Sequence, residues 1–347
     1  MPARPLYETH ATPLTVLLGD LENLARSQTE AFVGTPGSLL VRQNAGGFRF
    51  YARQFYDADG RKREQYVAGP VGEADADAVA AALRSRIDEA KATSSSLRLL
   101  GREGFAIADA KTYATLASLH NYGVFRAGAV LIGSHAFGVL LNQLGVRSAA
   151  YATEYVDTAR RGGLAFSEPP AVDFLPMLRG SGIDFVPVPT FDPRQPSSSY
   201  KQRGRGAFHV DLLVPSPDES FPTVPVPELG AHATGVPYLG YLLGETQPAV
   251  LLSREGCCLV RVPTAERYAV HKLIVSSLRS HHGSKSEKDL GHAAVLAAVL
   301  GERFPGALEE ALGRVPSGAA SRLRAAITRA GPLLEAAHPR AWAELAG

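Results

Sequence analysis

Three places in this chain have residue types and spacing that could hold a phosphorylated ligand and a divalent cation. A short apolar run, Val130-Leu131-Ile132, leads into Gly133-Ser134, and a helical pattern follows over 135–144. A strand that passes into a helix through Gly-Ser offers backbone N–H groups and a hydroxyl to phosphate oxygens, and the glycine lets the backbone come close. A second strand, over 153–158, carries Glu154, Tyr155 and Asp157. Alternate residues of a strand share a face, so positions 155 and 157 point one way and Glu154 the other unless a bulge re-aims it. The third place is the alternating stretch 207–215, with Asp211 inside an otherwise apolar strand and His209 on the same face. A lone buried carboxylate is costly. Mg²⁺ takes oxygen ligands, usually one or two carboxylates completed by phosphates and water.

Each feature also has a plainer reading. Gly133-Ser134 could be a strand-to-helix turn with a serine cap. Asp157 could be a strand-end acid, His209 a half-buried structural residue, and His135 a side chain facing the sheet.

The elements that must position these residues can be read along the chain. Leu14, Leu17, Leu18, Leu21 and Leu24 are spaced for a helix over 12–33. A β-meander is expected over 38–42, 47–56 and 62–67, with a hairpin turn at 57–60. Helices follow over 73–93 and on to about 120. After the strand at 130–132 come a short helix at 172–179 and a strand at 184–188. Residues 190–206, rich in Pro, Ser and Gly, read as a mobile loop. A hairpin is expected over 248–253 and 257–262, then helices over 264–280, 285–301, 306–313, 318–330 and 332–345. The expected class is α+β: a mixed sheet with flanking helices, preceded by a β-meander and followed by a helical bundle. The expected divisions are 1–125, 126–262 and 263–347.

Composition bounds the function. The 36 Lys+Arg residues against 34 Asp+Glu leave a net charge of +2, so any nucleic-acid contact must be a local patch. Cys257 and Cys258 are adjacent, which argues against a disulfide framework and, without a CxxC partner, against zinc. The apolar stretch at 12–18 is too short for a signal peptide or a membrane span, and a cytoplasmic, reduced location is expected.

Several short motifs occur in a fixed order: Gly133-Ser134-His135-Ala136-Phe137, Leu144-Gly145-Val146-Arg147, Thr153 to Asp157, and Val210 to Pro215. Arg267-Tyr268-Ala269 with His271-Lys272-Leu273, and then Lys288-Asp289-Leu290, complete the series. Together they resemble a bacterial nucleotidyltransferase-like group within the DNA polymerase β-type nucleotidyltransferase superfamily, over roughly 126–300. The resemblance implies transfer of an NMP from an NTP to a protein, RNA (a tRNA end included) or small-molecule acceptor, with Mg²⁺ or Mn²⁺. It implies that Gly133 and Ser134 hold the triphosphate and that Asp157 and Asp211 ligate the metal. It also implies that Lys272 reaches the phosphates and that Asp289 orients Lys272 or the acceptor. The catalytic set would be Asp157, Asp211, Lys272 and Asp289.

The family pattern has an aspartate where this chain has Tyr155. A phenol that titrates near ~10 is a poor Mg²⁺ ligand at neutral pH. That departure supports a second reading, a catalytically impaired nucleotidyltransferase fold that binds nucleotide or RNA or regulates a partner. A toxin of a toxin–antitoxin pair is a third. Two basic groups bear on an RNA partner: Arg267, Lys272, Arg279, Lys285 and Lys288, and in the loop Lys201, Arg203 and Arg205. The meander's Arg49, Arg53, Phe48, Tyr51 and Phe55 could stack on RNA or form a packed face.

Overall fold

The computed structural model describes residues 4–149, 155–166, 170–190, 195–206, 208–278 and 283–347, and of Tyr155 only the backbone. Near the N-terminus, β1 (Glu8–Thr9) pairs with β6 (Val146–Arg147). Helix α1 (Thr12–Ser27) stops six residues before the expected end. There the chain turns extended, and Ala31 is caught by the Asn121 side chain, which exchanges hydrogen bonds of 2.8 and 3.0 Å with its backbone. The meander is as expected: β2 (Ser38–Gln43), β3 (Arg49–Tyr56) and β4 (Lys62–Ala68) form an antiparallel three-stranded sheet. Helix α2 (Ala74–Arg102) is one continuous helix that ends nine residues beyond the expected position 93. Helix α3 (Ala110–Asn121) follows, capped by Asp109, whose side chain accepts from Lys111 N and Thr112 N.

The central sheet begins with β5 (Val130–Ile132), which runs directly into α4 (Gly133–Gln143). Strand β7 (Tyr155–Ala159) lies beside it, followed by α5 (Phe174–Arg179) and β8 (Phe185–Pro187). Beyond these come β9 (Ser199–Gln202), β10 (His209–Pro215), β11 (Thr223–Val226), a 3-10 turn and β12 (Ala231–Val236). The order is β11-β12-β10-β7-β5, with β9 also on β10 and β8 on β9. Strand β10 runs parallel to β7 and β12, while β5 is antiparallel to β7. The sheet is therefore mixed and the class α+β. Strand β9 corrects the loop expected over 190–206. Its Ser, Tyr, Lys and Gln give no apolar alternation, and its backbone is held by antiparallel partners on both sides.

Strand β10 explains its own placement. Val210, Leu212 and Val214 are buried, while His209, Asp211, Leu213 and Pro215 on the other face are partly exposed. This is the period-2 pattern of a sheet that is packed on one side and faces a cleft on the other. Short helix α6 (Leu239–Leu242) leads to the hairpin β13 (Thr246–Leu252) and β14 (Cys257–Pro263). Cys257 and Cys258, on successive positions of β14, fall into two different apolar clusters, both as free thiols. The rest is helical: α7 (Ala265–Leu278), α8 (Ser284–Arg303), α9 (Ala307–Gly313), α10 (Ala320–Leu334) and α11 (Pro339–Ala346). One apolar cluster runs from Leu131 and Val210 in the sheet to Ile274 and Leu296 in these helices. Among the described residues no helix is long and apolar enough to cross a membrane.

Candidate functional site

Asp157 and Asp211 are register partners on adjacent parallel strands, so their side chains leave the same face of the sheet. On the other side of β7, Ile132 is the partner of Asp157, and the next residue is Gly133. Gly133 has φ +69°, and a Cβ built on it would collide with the Asp157 carboxylate, 3.2 Å from Cγ and closer still to Oδ2. Only glycine lets the turn and the acid lie this close. Asp211 is held from its far side: the Ser199 hydroxyl of β9 donates a short hydrogen bond to Oδ1, and His209 Nε2 lies 3.6 Å from Oδ2. Ser199 falls in the segment that the sequence reads as loop, so its role has no sequence signal.

Ser134 occupies the first turn of α4 and does not cap it; the N-cap is Ile132 and no side chain fills that role. The capping explanation for this serine therefore fails. The turn is fixed instead by Tyr268, a fully buried residue of α7 whose hydroxyl donates to the Gly133 carbonyl at 2.8 Å. One helical turn on, Lys272 lies with its Nζ 5.4 Å from the Tyr268 ring centre and donates to Asp289 Oδ1 of α8 at 2.6 Å. Tyr268, His271, Lys272 and Val275 follow the i, i+3, i+4, i+7 spacing that sets side chains along one helix face. That face and the start of α8, with Lys285, Lys288 and Asp289, close a cavity of about 700 Å³ over the acids.

All six residues named from the sequence, Gly133, Ser134, Asp157, Asp211, Lys272 and Asp289, line this one cavity. The basic run divides. Lys272, Lys285 and Lys288 line the cavity, whereas Arg267 is buried away from it, donating to the Tyr241 carbonyl at 2.9 Å and to Glu245 at 3.2 Å. Arg279, like His281 and His282, lies outside the described residues. The meander's residues divide: Phe48 and Arg49 are exposed, whereas Arg53, Tyr51 and Phe55 belong to a packed face. Arg53 is buried between the Phe32 and Phe55 rings and donates to the carbonyls of Pro36 and Thr35, while the Tyr51 hydroxyl donates to Asp77. In the expected loop, Lys201 belongs to β9 and Arg203 pairs with Asp184 at 2.6 Å. His135 is on the buried side of α4, with Nε2 3.5 Å from the Thr112 hydroxyl, and burial lowers its pKa to about 4.

Two carboxylates side by side suit one Mg²⁺ whose other ligands are phosphate oxygens and water. A two-cation clamp needs more oxygen donors. Among the described residues no group of three or more His, Cys, Asp or Glu is placed to hold a metal. Glu154 and the Tyr155 side chain lie outside the described set. Among the described residues, Asp157 and Asp211 thus fit one divalent cation.

The mixed α+β fold agrees with sequence comparison. The sequence model of a nucleotidyltransferase family matches residues 110–315, more than half of the chain. The chain belongs to this nucleotidyltransferase family. The match begins sixteen residues before the resemblance read from the motifs and takes in all of α3, whose Asp109 cap and Thr112 pack beside His135. No curated protein and no solved structure matches the chain.

Proposed function

We propose that this protein transfers an NMP from an NTP to an acceptor hydroxyl, with 126–262 as the palm and 1–125 and 263–347 flanking it. The observation that carries this reading is the in-register pair Asp157–Asp211 beside the Gly133 turn, facing Lys272–Asp289 across one cavity. Gly133 and Ser134 receive the terminal phosphates through backbone N–H groups and the Ser134 hydroxyl. Lys272, oriented by Asp289, reaches the same phosphates. Asp157 and Asp211 would hold Mg²⁺ or Mn²⁺, which would neutralise charge on the α-phosphate. The acceptor oxygen attacks the α-phosphorus, pyrophosphate leaves, and the proton passes to a carboxylate of the acid pair. A protein hydroxyl, an RNA end such as that of tRNA, and a small molecule all fit this chemistry.

The test is transfer of label from α-labelled NTPs with Mg²⁺ or Mn²⁺. Wild type should label an acceptor, and Asp211→Asn should abolish labelling while the fold is kept. A second reading is favoured by one observation: Tyr155 stands where the family pattern has an acid, and its backbone pairs with His209. In that reading the cavity binds nucleotide without turning it over. Equal silence of wild type and Asp211→Asn, with nucleotide still bound, selects it.

A further inference from the structure

Part of the lining of the same cavity is apolar. Beyond Asp211 the same face of β10 becomes apolar at Leu213, and Val236 of β12 with Leu239 and Leu242 of α6 continue that wall. At the wall stands Phe221, 65% exposed, on the loop between β10 and β11.

A single exposed apolar side chain is ordinary; what sets Phe221 apart is how firmly its loop is held. Asp218 accepts from the Ser220 N–H at 2.8 Å. Glu219 accepts from Arg322 of α10 at 2.6 Å and from the Tyr238 hydroxyl at 2.9 Å. The Pro222 carbonyl accepts from Gly235 N at 2.7 Å. Tyr238 is the one non-glycine with positive φ, +60°, among the described residues, and it directly precedes α6. A residue with a side chain persists in that region only when its surroundings over-determine it. The same brace therefore sets Phe221 at the cavity and Leu239 and Leu242 on its wall.

We infer that this apolar wall receives the nucleobase of the NTP, with Phe221 stacking on the base and Tyr238 as a positioning residue. The inference rests on the proposed triphosphate site at the acids and Lys272, which share with the apolar wall one cavity of about 700 Å³, a size suited to a small ligand. Every base has a π-face, so recognition by stacking tolerates all four bases.

The test measures binding of the four NTPs and of inorganic tripolyphosphate, each with Mg²⁺, to the full chain and to Phe221→Ala and Phe221→Trp. Phe221→Ala should weaken all four NTPs by roughly 5- to 100-fold and leave tripolyphosphate unchanged, and Phe221→Trp should keep NTP affinity. Wild type should discriminate among the four by less than about tenfold. NTP affinity unchanged in Phe221→Ala overturns the stacking role and leaves the triphosphate site standing. Equal loss for NTP and tripolyphosphate also overturns it, because the substitution then acts through the site as a whole. Wild type that binds neither ligand overturns this inference together with the function on which it rests.

Discussion

An alanine at position 133 would meet two obstacles of different size. The first is the backbone, because φ there is +69° and a side chain in the left-handed region costs roughly 1–2 kcal/mol. In a chain of this size that lowers the melting temperature by only a few degrees, at ~2–4 °C per kcal/mol. The second is the collision of the new Cβ with the Asp157 carboxylate, which must move by about 1 Å or carry the turn with it; a misplacement of that order can cost ~10²-fold in rate. Gly133→Ala should therefore stay folded and lose at least ~10²-fold in nucleotidyl transfer. Thermal unfolding followed by circular dichroism gives the first quantity. Label transfer from an NTP, with Mn²⁺ binding by electron paramagnetic resonance beside it, gives the second. Full activity and full Mn²⁺ affinity in a folded Gly133→Ala protein would refute the argument that this close approach shapes the acid pair. A protein that fails to fold would show that the glycine serves the sheet first.

Other perturbations separate fold from site. Asp289→Ala leaves the Lys272 ammonium, 12% exposed, without its 2.6 Å partner, and should cost roughly 3–5 kcal/mol in urea unfolding, with much of it recovered in Lys272→Met/Asp289→Leu. An Asp289→Ala protein as stable as wild type would count against the pair. His135 is held neutral by burial, its pKa lowered from 6.5 to about 4. The unfolded chain then binds the extra proton between those values, so stability is complete above pH 6.5 and falls by about 3 kcal/mol as pH drops to 4. His135→Gln should flatten that part of the acid limb; an unchanged slope would assign it to other groups. Burial raises the thiol pKa of Cys257 to about 12 and that of Cys258 further, so a thiol reagent at pH 8 should react only as fast as the protein opens. Rapid reaction of the folded protein would contradict that placement.

Sequence alone determined the local half of this protein. Period-2 alternation marked His209–Pro215 and its two faces, the apolar run marked Val130–Ile132, and the ordered motifs marked the family and six candidate site residues. These signals are local because a strand's faces and a helix's stripe follow from the spacing of residues a few positions apart. Strands β9, β11 and β12 escaped because Ser199–Gln202, Thr223–Val226 and Ala231–Val236 lack a sustained apolar alternation and are strands by virtue of their neighbours. Tertiary structure decided everything that depends on long-range register: that Asp157 faces Asp211 and that the Tyr268 hydroxyl pins the Gly133 carbonyl across 135 positions. It also decided that Arg267 and Arg53 are packing cations while Lys285 and Lys288 line the cavity, and that Phe221 stands at its apolar wall. The physical reason is that a residue's type sets what it can do, whereas its partner is set by which segments share a core, and that choice is made by burial over the whole chain.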